Sequence, residues 1–224
     1  MKTVLVAAAS QGLGKAIAEA FVANGDNVHI FSRHTEPPCD LTDLQQIEQL
    51  LKKIGPVDVL VTNASGPKPG QFNDISDADW QQAFELTFLS AVRLIRGVLP
   101  NMQKNHWGRI ICLTSTSVKQ PIPHLITSNA LRAAVANLAK SLANEVGKDG
   151  VTVNVVAPGM FETDRLNQLY PTQPDRDRVK TIIPTQRFGD VTELAATVVF
   201  LASDQASYIN GVLLPVDGGL TKTC

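Results

Sequence analysis

Three polar residues in the second half of the chain have the types and the spacing of a reaction centre. His124, Ser128 and Arg132 follow one another at intervals of four residues, so on a continuous helix they would share one face. An imidazole titrates near neutral pH, whereas a guanidinium keeps its positive charge. The group predicts proton transfer through His124 or stabilisation of an oxyanion by Arg132. Pro121 and Pro123 favour a helix that starts only near this point, which would leave His124 as an exposed loop residue.

A second candidate site lies near the start of the sequence, where a predicted strand turns into a predicted helix. The turn contains Ser10, Gly12, Leu13 and Gly14, and the helical pattern Lys15–Asn24 follows it. Such a turn brings backbone amides and the positive end of a helix to one point, which suits a pyrophosphate. A tight turn without a ligand remains the alternative, because glycines serve both purposes.

Short strand-like runs alternate with helical patterns along the whole chain, which is typical of parallel β-α-β units. The runs are mostly continuous and apolar, as expected when helices cover both faces of a sheet. We therefore predict one α/β domain over residues 1–224, a three-layer, doubly wound parallel sheet of six or seven strands. The predicted strands include Thr3–Ala7, Asn27–Phe31, Val57–Thr62, Arg109–Thr114, Val151–Ala157 and Leu213–Val216.

Apolar residues at three-to-four spacing predict two long helices, at about Asp79–Gln103 and Leu125–Val146. Ser76 and Asp190 each stand three positions before an acidic residue. This is the spacing of a capping box, which satisfies free amides in a first helical turn. It predicts where the first of these helices and the last helix of the chain begin.

The segment after the second predicted strand is unusually short. Only six residues separate Arg33 from Asp40, and two of them are prolines. Six residues span at most about 20 Å, which excludes a helix and a return strand at this place. The next helix, at about Leu41–Ile54, is therefore expected to begin almost directly after the second strand.

The composition indicates a globular protein without affinity for polyanions. The chain is 44% hydrophobic and has 20 basic and 21 acidic residues, so it has no basic field to attract nucleic acid or a membrane surface. Cys39, Cys112 and Cys224 are odd in number and far apart, which indicates neither disulfides nor a metal site and favours the cytoplasm. Met1 and Lys2 lead directly into a strand, and no apolar run is long enough to span a membrane, so we expect no export signal or anchor.

The motifs resemble those of short-chain dehydrogenases/reductases, in the same order and over nearly the whole chain. Gly12 and Gly14 match the end of that family's Thr-Gly-x-x-x-Gly-x-Gly pattern, while Ala7 and Ala8 replace its leading Thr-Gly. The resemblance implies a Rossmann fold and redox chemistry with a nicotinamide dinucleotide. The other matching segments are Thr62–Ser65, Gly108–Ile111, Asn154–Gly159 with Thr163, Pro184–Gly189 and Val216–Gly219.

The resemblance also implies how the dinucleotide would lie, with a deleted edge element and a thinner wall beside the adenine. An acidic residue after the second strand would repel a 2′-phosphate, but this chain has Ser32 and Arg33 there. Arg33 offers donors suited to a phosphate and Ser10 could add a hydroxyl, so NADP(H) is preferred and NAD(H) is possible. The remaining positions expected to line the cofactor are Asp40, Leu41, Asn63, Ala64, Pro158, Gly159 and Thr163.

The family's reaction centre consists of a tyrosine, a lysine four residues later, a serine and an asparagine. Ser115 matches the serine, but the resemblance places Ser128, Arg132 and Thr87 where the tyrosine, lysine and asparagine would stand. A serine hydroxyl is a far weaker acid than a phenol of pKa about 10, so Ser128 does not inherit the proton transfer. Arg132 could still bond the nicotinamide ribose, although it has no useful neutral form.

Three functions follow, and the first is preferred. It is an NADP(H)-dependent oxidoreductase of a carbonyl or secondary alcohol, in which Ser115 orients the oxygen, Arg132 holds the cofactor, and Ser128 with water or His124 relays the proton. The second is a nucleotide-sensing or partner-binding protein without turnover. The third is a non-redox reaction whose oxyanion Ser115 and Arg132 stabilise. The pattern Ser-Asn-x-x-Arg is similar to a divergent branch named after 3-oxoacyl-carrier-protein reductases, which transfers the substrate class only weakly.

The resemblance further implies a homodimer or homotetramer, paired through the two long helices and the C-terminal strand. The stretch from Phe161 to Ile183, which contains Tyr170, matches the family's substrate lid. We expect this stretch to set the specificity for a small-molecule substrate.

Overall fold

The strands of the computed structural model, which describes residues 1–35 and 38–223, form one six-stranded parallel sheet. Along the sheet the strands stand in the order β2-β1-β3-β4-β5-β6. Strands β1, β2 and β6 have the predicted bounds, whereas β3 begins two residues later than predicted and β4 one residue earlier. In chain order the strands are β1 (Thr3–Ala7), β2 (Asn27–Phe31), β3 (Val59–Thr62), β4 (Gly108–Leu113), β5 (Val151–Pro158) and β6 (Leu213–Val216).

The described part of the chain has eight α-helices, five of which cover the two faces of the sheet. They are α1 (Gly12–Ala23), α2 (Leu44–Ile54), α3 (Asp77–Phe84), α4 (Ser90–Lys104), α5 (Ile126–Val146), α6 (Asp164–Leu169), α7 (Gln173–Thr181) and α8 (Val191–Leu201). Helices α1 and α8 pack on one face, and α2, α4 and α5 pack on the other. The predicted three-layer, doubly wound architecture is confirmed.

Strand β1 shows why its sequence has to be apolar throughout. Successive side chains of a strand point to opposite faces. Val4 and Val6 therefore join the core under α1 and α8, while Leu5 and Ala7 join the core under α2, α4 and α5. Full burial of a valine or leucine side chain contributes about 1.5–3 kcal/mol, so both faces hold β1 between the two layers of helices.

The first long helix differs from its prediction because a π-helical turn divides it. The turn, Glu85–Leu89, separates α3 from α4, and it carries Thr87. Both capping boxes are confirmed, at Ser76 before α3 and at Asp190 before α8. Single π turns occur often at functional sites, and this one places Thr87 against the end of the sheet.

The shortened edge after β2 is confirmed. Between Phe31 and Leu44 the described residues form neither helix nor strand; positions 36 and 37 of this short segment lie outside them. Helix α2 begins at Leu44 instead of near Leu41, because the Asp43 carboxylate caps it by accepting from the amides of Gln45 and Gln46. Leu41 is buried in the core instead. Strand β2 is consequently the edge of the sheet.

The chain leaves β1 in one direction along the sheet and returns to its other side. Strands β2 and β3 flank β1 on opposite sides, so the connections diverge at the carboxyl ends of β1 and β3. Such a switch point opens a crevice that binds ligands in sheets of this kind. Among the described helices, none combines the length and the apolar character needed to cross a membrane.

Candidate functional site

The turn from β1 to α1 forms one wall of the crevice, and its backbone is tightly constrained. Ala8 and Gly12 both have left-handed conformations, with φ of 48° and 57°. A Cβ on Gly14 would lie 2.7 Å from the carbonyl oxygen of Ala8 and 2.9 Å from Nδ2 of Asn63. Glycine at position 14 therefore lets α1 start directly against the turn, whereas Ala8 holds a strained conformation that glycine would adopt freely.

The amino end of α1 is open to an anion. Gln11 precedes the helix in an extended conformation and makes no side-chain capping bond. The first amides of a helix have no intrahelical acceptor, and the helix dipole makes this end positive. The amides of Gly12, Leu13 and Gly14 are therefore suitable donors for a pyrophosphate, and half-buried Ser10 lies beside them. The residues present fit the phosphates of a dinucleotide.

The residues after β2 divide into those the fold uses and those it leaves free. The hydroxyl of buried Ser32 accepts from the His34 amide at 2.9 Å, so the local turn already uses it. Asp40 accepts from the Thr42 amide and hydroxyl, both at 2.9 Å. Arg33 is exposed, and within residues 1–35 and 38–223 it makes no hydrogen bond or ion pair. Of these residues, Arg33 keeps its full capacity to bind a phosphate.

The loop after β3 connects the two walls of the crevice. The side-chain Nδ2 of Asn63 donates to the carbonyl oxygen of Ala8 at 3.3 Å, across the switch point. The carbonyl oxygen of the next residue, Ala64, accepts from Nη2 of Arg132 at 3.2 Å. The sequence predicts that Asn63 and Ala64 line the cofactor. In the structure, both residues make hydrogen bonds within the chain.

Arg132 lies at the centre of the other wall, where α5 meets the carboxyl ends of β3 and β4. Its Nε donates to Oγ of Ser128 at 3.2 Å. Its Nη1 donates to the carbonyl oxygens of Thr114 at 3.1 Å and Leu113 at 3.4 Å. With the bond to Ala64, these contacts engage every N–H of the guanidinium except one. Arg132 is thus a buried tie between the helix and two strands.

The charge of Arg132 has no protein counterion. Among the described residues no carboxylate pairs with it, and the cavity beside it has no acidic side chain in its lining. Burial, assisted by the positive charge of Arg165, lowers the pKa of Arg132 to about 10. The guanidinium therefore stays protonated at neutral pH, and a buried unpaired charge favours the binding of an anion.

Ser115 lies directly after the carbonyl group that Arg132 holds. Its Oγ accepts from the Ser117 amide at 3.1 Å, as the cap of the short turn Thr116–Val118. An oxygen fixed in this way still has its own proton to donate. The structure joins Ser128 to Arg132 and places Ser115 next to the Thr114 carbonyl group that Arg132 holds, at the carboxyl end of β4.

Thr87 faces the same place from the π turn. It is 5% exposed, and its Oγ1 has no hydrogen-bond partner in the part of the chain that the structure describes. The cavity of about 10 Å³ beside it is also lined by Asn63 and Arg132, and a space of this size holds a single water molecule. Thr87 and Arg132 are placed to share such a water.

The predicted alignment of His124 with Ser128 and Arg132 is wrong. Helix α5 begins only at Ile126, so no continuous helix joins the three residues. His124 lies in the preceding turn with φ of 61°, exposed, and its Nδ1 is 3.4 Å from Nε2 of Gln71. The two prolines before it were the sequence signal for this arrangement.

The Pro-Gly segment after β5 leads into the predicted lid. Pro158 ends β5, and the amide of Gly159 donates to the carbonyl oxygen of Val216 at 2.9 Å. Thr163 caps α6 by accepting from the Leu166 amide at 3.4 Å. Its methyl group lies 3.8 Å from the position of a Cβ on Gly12, so the predicted lid borders the turn from β1 to α1.

The lid contributes one residue that the sequence did not single out. A Cβ on Gly66 would lie 2.6 Å from Nη2 of Arg165, so this guanidinium rests on the backbone of the loop after β3. Arg165 is exposed, and within the described residues it makes no hydrogen bond or ion pair. The available signal was a cation two positions after Thr163.

Sequence comparisons cover nearly the whole chain. The family model described as enoyl-(acyl carrier protein) reductase matches residues 7–221. A 3-oxoacyl-[acyl-carrier-protein] reductase, FabG of Salmonella typhimurium, is 36% identical over 98% of this chain and 97% of its own. The reductase MabA of Mycobacterium bovis is 33% identical over 98% of this chain and 92% of its own.

Solved structures of similar fold point the same way. YwfH, described as an NADPH dependent reductase involved in bacilysin biosynthesis, superposes with a TM-score of 0.96 at 29% identity, over 100% of this chain and 99% of its own. An actinorhodin polyketide ketoreductase with NADPH superposes with a TM-score of 0.93 at 28% identity, over 99% and 98% of the two chains.

Proposed function

The chain belongs to the short-chain dehydrogenase/reductase family, and from this premise we propose that it is an NADP(H)-dependent reductase of a small carbonyl compound. The observation that carries the proposal is the uncapped amino end of α1, where Gly12 and Gly14 leave amides free for phosphates. YwfH, an NADPH dependent reductase, and the polyketide ketoreductase solved with NADPH support the choice of cofactor.

The cofactor would lie along the crevice with its phosphates on α1. Arg33 would bind the 2′-phosphate, since it is exposed and free and since no acidic residue stands beside it in the sequence. NAD(H), which lacks that phosphate, would bind more weakly. Pro158, Gly159 and Thr163 would border the nicotinamide. The wall beside the adenine is thin because β2 is the edge of the sheet.

Bound NADPH would supply a hydride for the carbonyl carbon of the substrate. Ser115 donates its free proton in a hydrogen bond to the carbonyl oxygen, and the charge of Arg132 stabilises the negative charge that develops there. Arg132 contributes its charge and does not hold the cofactor, because its hydrogen bonds to backbone carbonyl groups leave almost no donor for a cofactor ribose.

Water supplies the proton in this proposal. Ser128 accepts from Arg132, so its own proton points elsewhere; it can pass to the basic alkoxide that hydride transfer leaves, and a proton from water then replaces it on Ser128. The single-water cavity at Thr87 and Arg132 provides a place from which solvent can enter the relay. His124 takes no part, because its ring is directed to Gln71.

Turnover decides between this proposal and the alternatives. Purified protein should oxidise NADPH in the presence of members of a panel of small ketones, aldehydes and oxo acids, with loss of the NADPH absorbance. The missing phenol favours the alternative of a nucleotide sensor. NADPH binding without turnover of any carbonyl would support that alternative and overturn the reductase.

Assembly and location complete the proposal. The chain forms a homodimer or homotetramer, and the fully exposed Tyr208 and the 44% exposed Phe200 favour an interface near the C-terminal strand. Light scattering that gave the mass of a single chain would contradict this.

Cys39 and Cys112 are buried free thiols, as expected in the cytoplasm, whereas Cys224 lies outside the described residues. A fluorescent fusion found outside the cytoplasm would contradict that location.

A further inference from the structure

Two guanidinium groups meet at the loop that follows β3. Arg132 donates from α5 to the carbonyl oxygen of Ala64, and Arg165 lies from α6 against Gly66, two residues further on. One group belongs to the core of the domain and the other to the lid. The entrance to the reaction centre is therefore bordered by positive charge on two sides of one short loop.

The neighbouring charges do not neutralise this pair. The other arginines of the lid segment have carboxylate partners, since Arg176 pairs with Glu162 and Arg178 pairs with Asp175. In the described part of the chain, Arg165 has no such partner and Arg132 has none either. Two cations that approach each other without an intervening anion repel, so their arrangement is most stable with an anion between them.

We propose that the substrate of the reductase carries a carboxylate, and that Arg165 binds it while Arg132 and Ser115 face the carbonyl oxygen. This inference rests on the proposed reductase activity and names its substrate class as oxo acids. A planar guanidinium fits a carboxylate with two parallel hydrogen bonds, which fixes orientation as well as charge. Helix α6 brings this group to the loop after β3.

The pyrophosphate of the cofactor is the other anion that Arg165 could meet. Its place is already provided by the amides at Gly12–Gly14, in the turn that Thr163 covers. Arg165 lies instead on the loop held by Arg132, and its charge acts on Arg132. This location favours the substrate as the source of the anion.

The test compares small oxo acids with their methyl esters, because the two differ in charge but share the carbonyl. Wild-type protein should reduce an oxo acid more efficiently than its ester. In Arg165→Gln, kcat/KM for the acid should fall roughly tenfold or more, mainly through KM, while the value for the ester changes little. Arg178→Gln removes the same charge from a solvent-facing position of the lid and should leave the ratio of acid to ester unchanged.

Binding measurements separate the possible failures. Thermal shift of the NADPH-saturated protein should show stabilisation by the oxo acid and not by the ester, and Arg165→Gln should remove it, even if no carbonyl is turned over. A loss of NADPH affinity in Arg165→Gln that accounts for the whole effect would assign Arg165 to the pyrophosphate and overturn the proposal. Equal losses with acid and ester, or stabilisation by neither ligand, would also overturn it.

Discussion

The two halves of the crevice both lie at the carboxyl ends of the strands, but one is built from backbone groups and the other from side chains. The phosphate half consists of backbone, namely the amides at the start of α1 and the turn from β1. The reaction half consists of the side chains of Ser115, Ser128 and Arg132. In the phosphate half, Ala8 adopts a left-handed conformation at a position where the family pattern has glycine, whereas in the reaction half we propose that exchanged side chains alter the chemistry.

This difference has a physical reason. An amide donor is present whatever residue supplies it, so a backbone site tolerates exchange as long as sterics permit the conformation. A side-chain site depends on the reach and the acidity of each group. In our proposal, a hydroxyl at Ser128 in place of a phenol removes the acid, while the guanidinium of Arg132 is held by backbone carbonyl groups.

The largest effect is expected in the phosphate half, from Gly14→Ala. The added methyl group would lie 2.7 Å from the Ala8 carbonyl oxygen, so α1 must move away from the turn and its amides lose their common focus. NADPH affinity should fall roughly a hundredfold, about 2.7 kcal/mol, as measured by calorimetric titration.

Gly55→Ala is the matched control for that variant. Gly55 has a positive φ of 80°, which strains any side chain, but its Cβ would meet nothing within 4 Å. It should cost about 1 kcal/mol of folding stability and leave the NADPH affinity unchanged. Equal affinities in Gly14→Ala and wild-type protein would refute the role of the backbone turn.

The second largest effect is expected in the reaction half, from Arg132→Met. Arg132→Met would leave the carbonyl groups of Ala64, Leu113 and Thr114 without their charged donor. The free energy of unfolding in urea should fall by about 2 kcal/mol, while Arg96→Met, at an exposed position of α4, should change it by less than about 0.5 kcal/mol. Unchanged stability would mean that Arg132 is free for a ligand and does not tie the strands.

The smallest effect is expected from His124→Ala. Because His124 lies outside α5 and its ring faces Gln71, turnover of a carbonyl substrate should stay within about twofold of wild type. The pH profile of kcat should also be retained. Abolished turnover would restore His124 as the proton donor and remove the case for water.

Local patterns in the sequence predict the fold and the turn from β1 to α1 well. Continuous apolar runs define β1 because both faces of the sheet are covered, and the residues of the glycine turn adopt their conformation locally. The capping pairs at Ser76 and Asp190 work within a single helical turn, so sequence spacing alone reveals them.

The sequence does not predict what depends on contacts between distant segments. The π turn at Thr87 interrupts a regular apolar pattern, and nothing local announces it. Arg132 was expected to hold the cofactor, but its side chain turns to carbonyl groups of β4 and of the loop after β3. Arg165 reaches Gly66 only because the lid folds over the crevice, so its part in the site is visible only in three dimensions.

The central claim is that the phosphate half of the crevice can bind a dinucleotide. Its most direct test is a calorimetric titration of the wild-type protein with NADPH and with NADH. We predict NADPH binding with a dissociation constant on the order of micromolar and NADH binding roughly tenfold weaker, since Arg33 has no 2′-phosphate to meet. A folded protein that binds neither nucleotide at millimolar concentration would contradict the account.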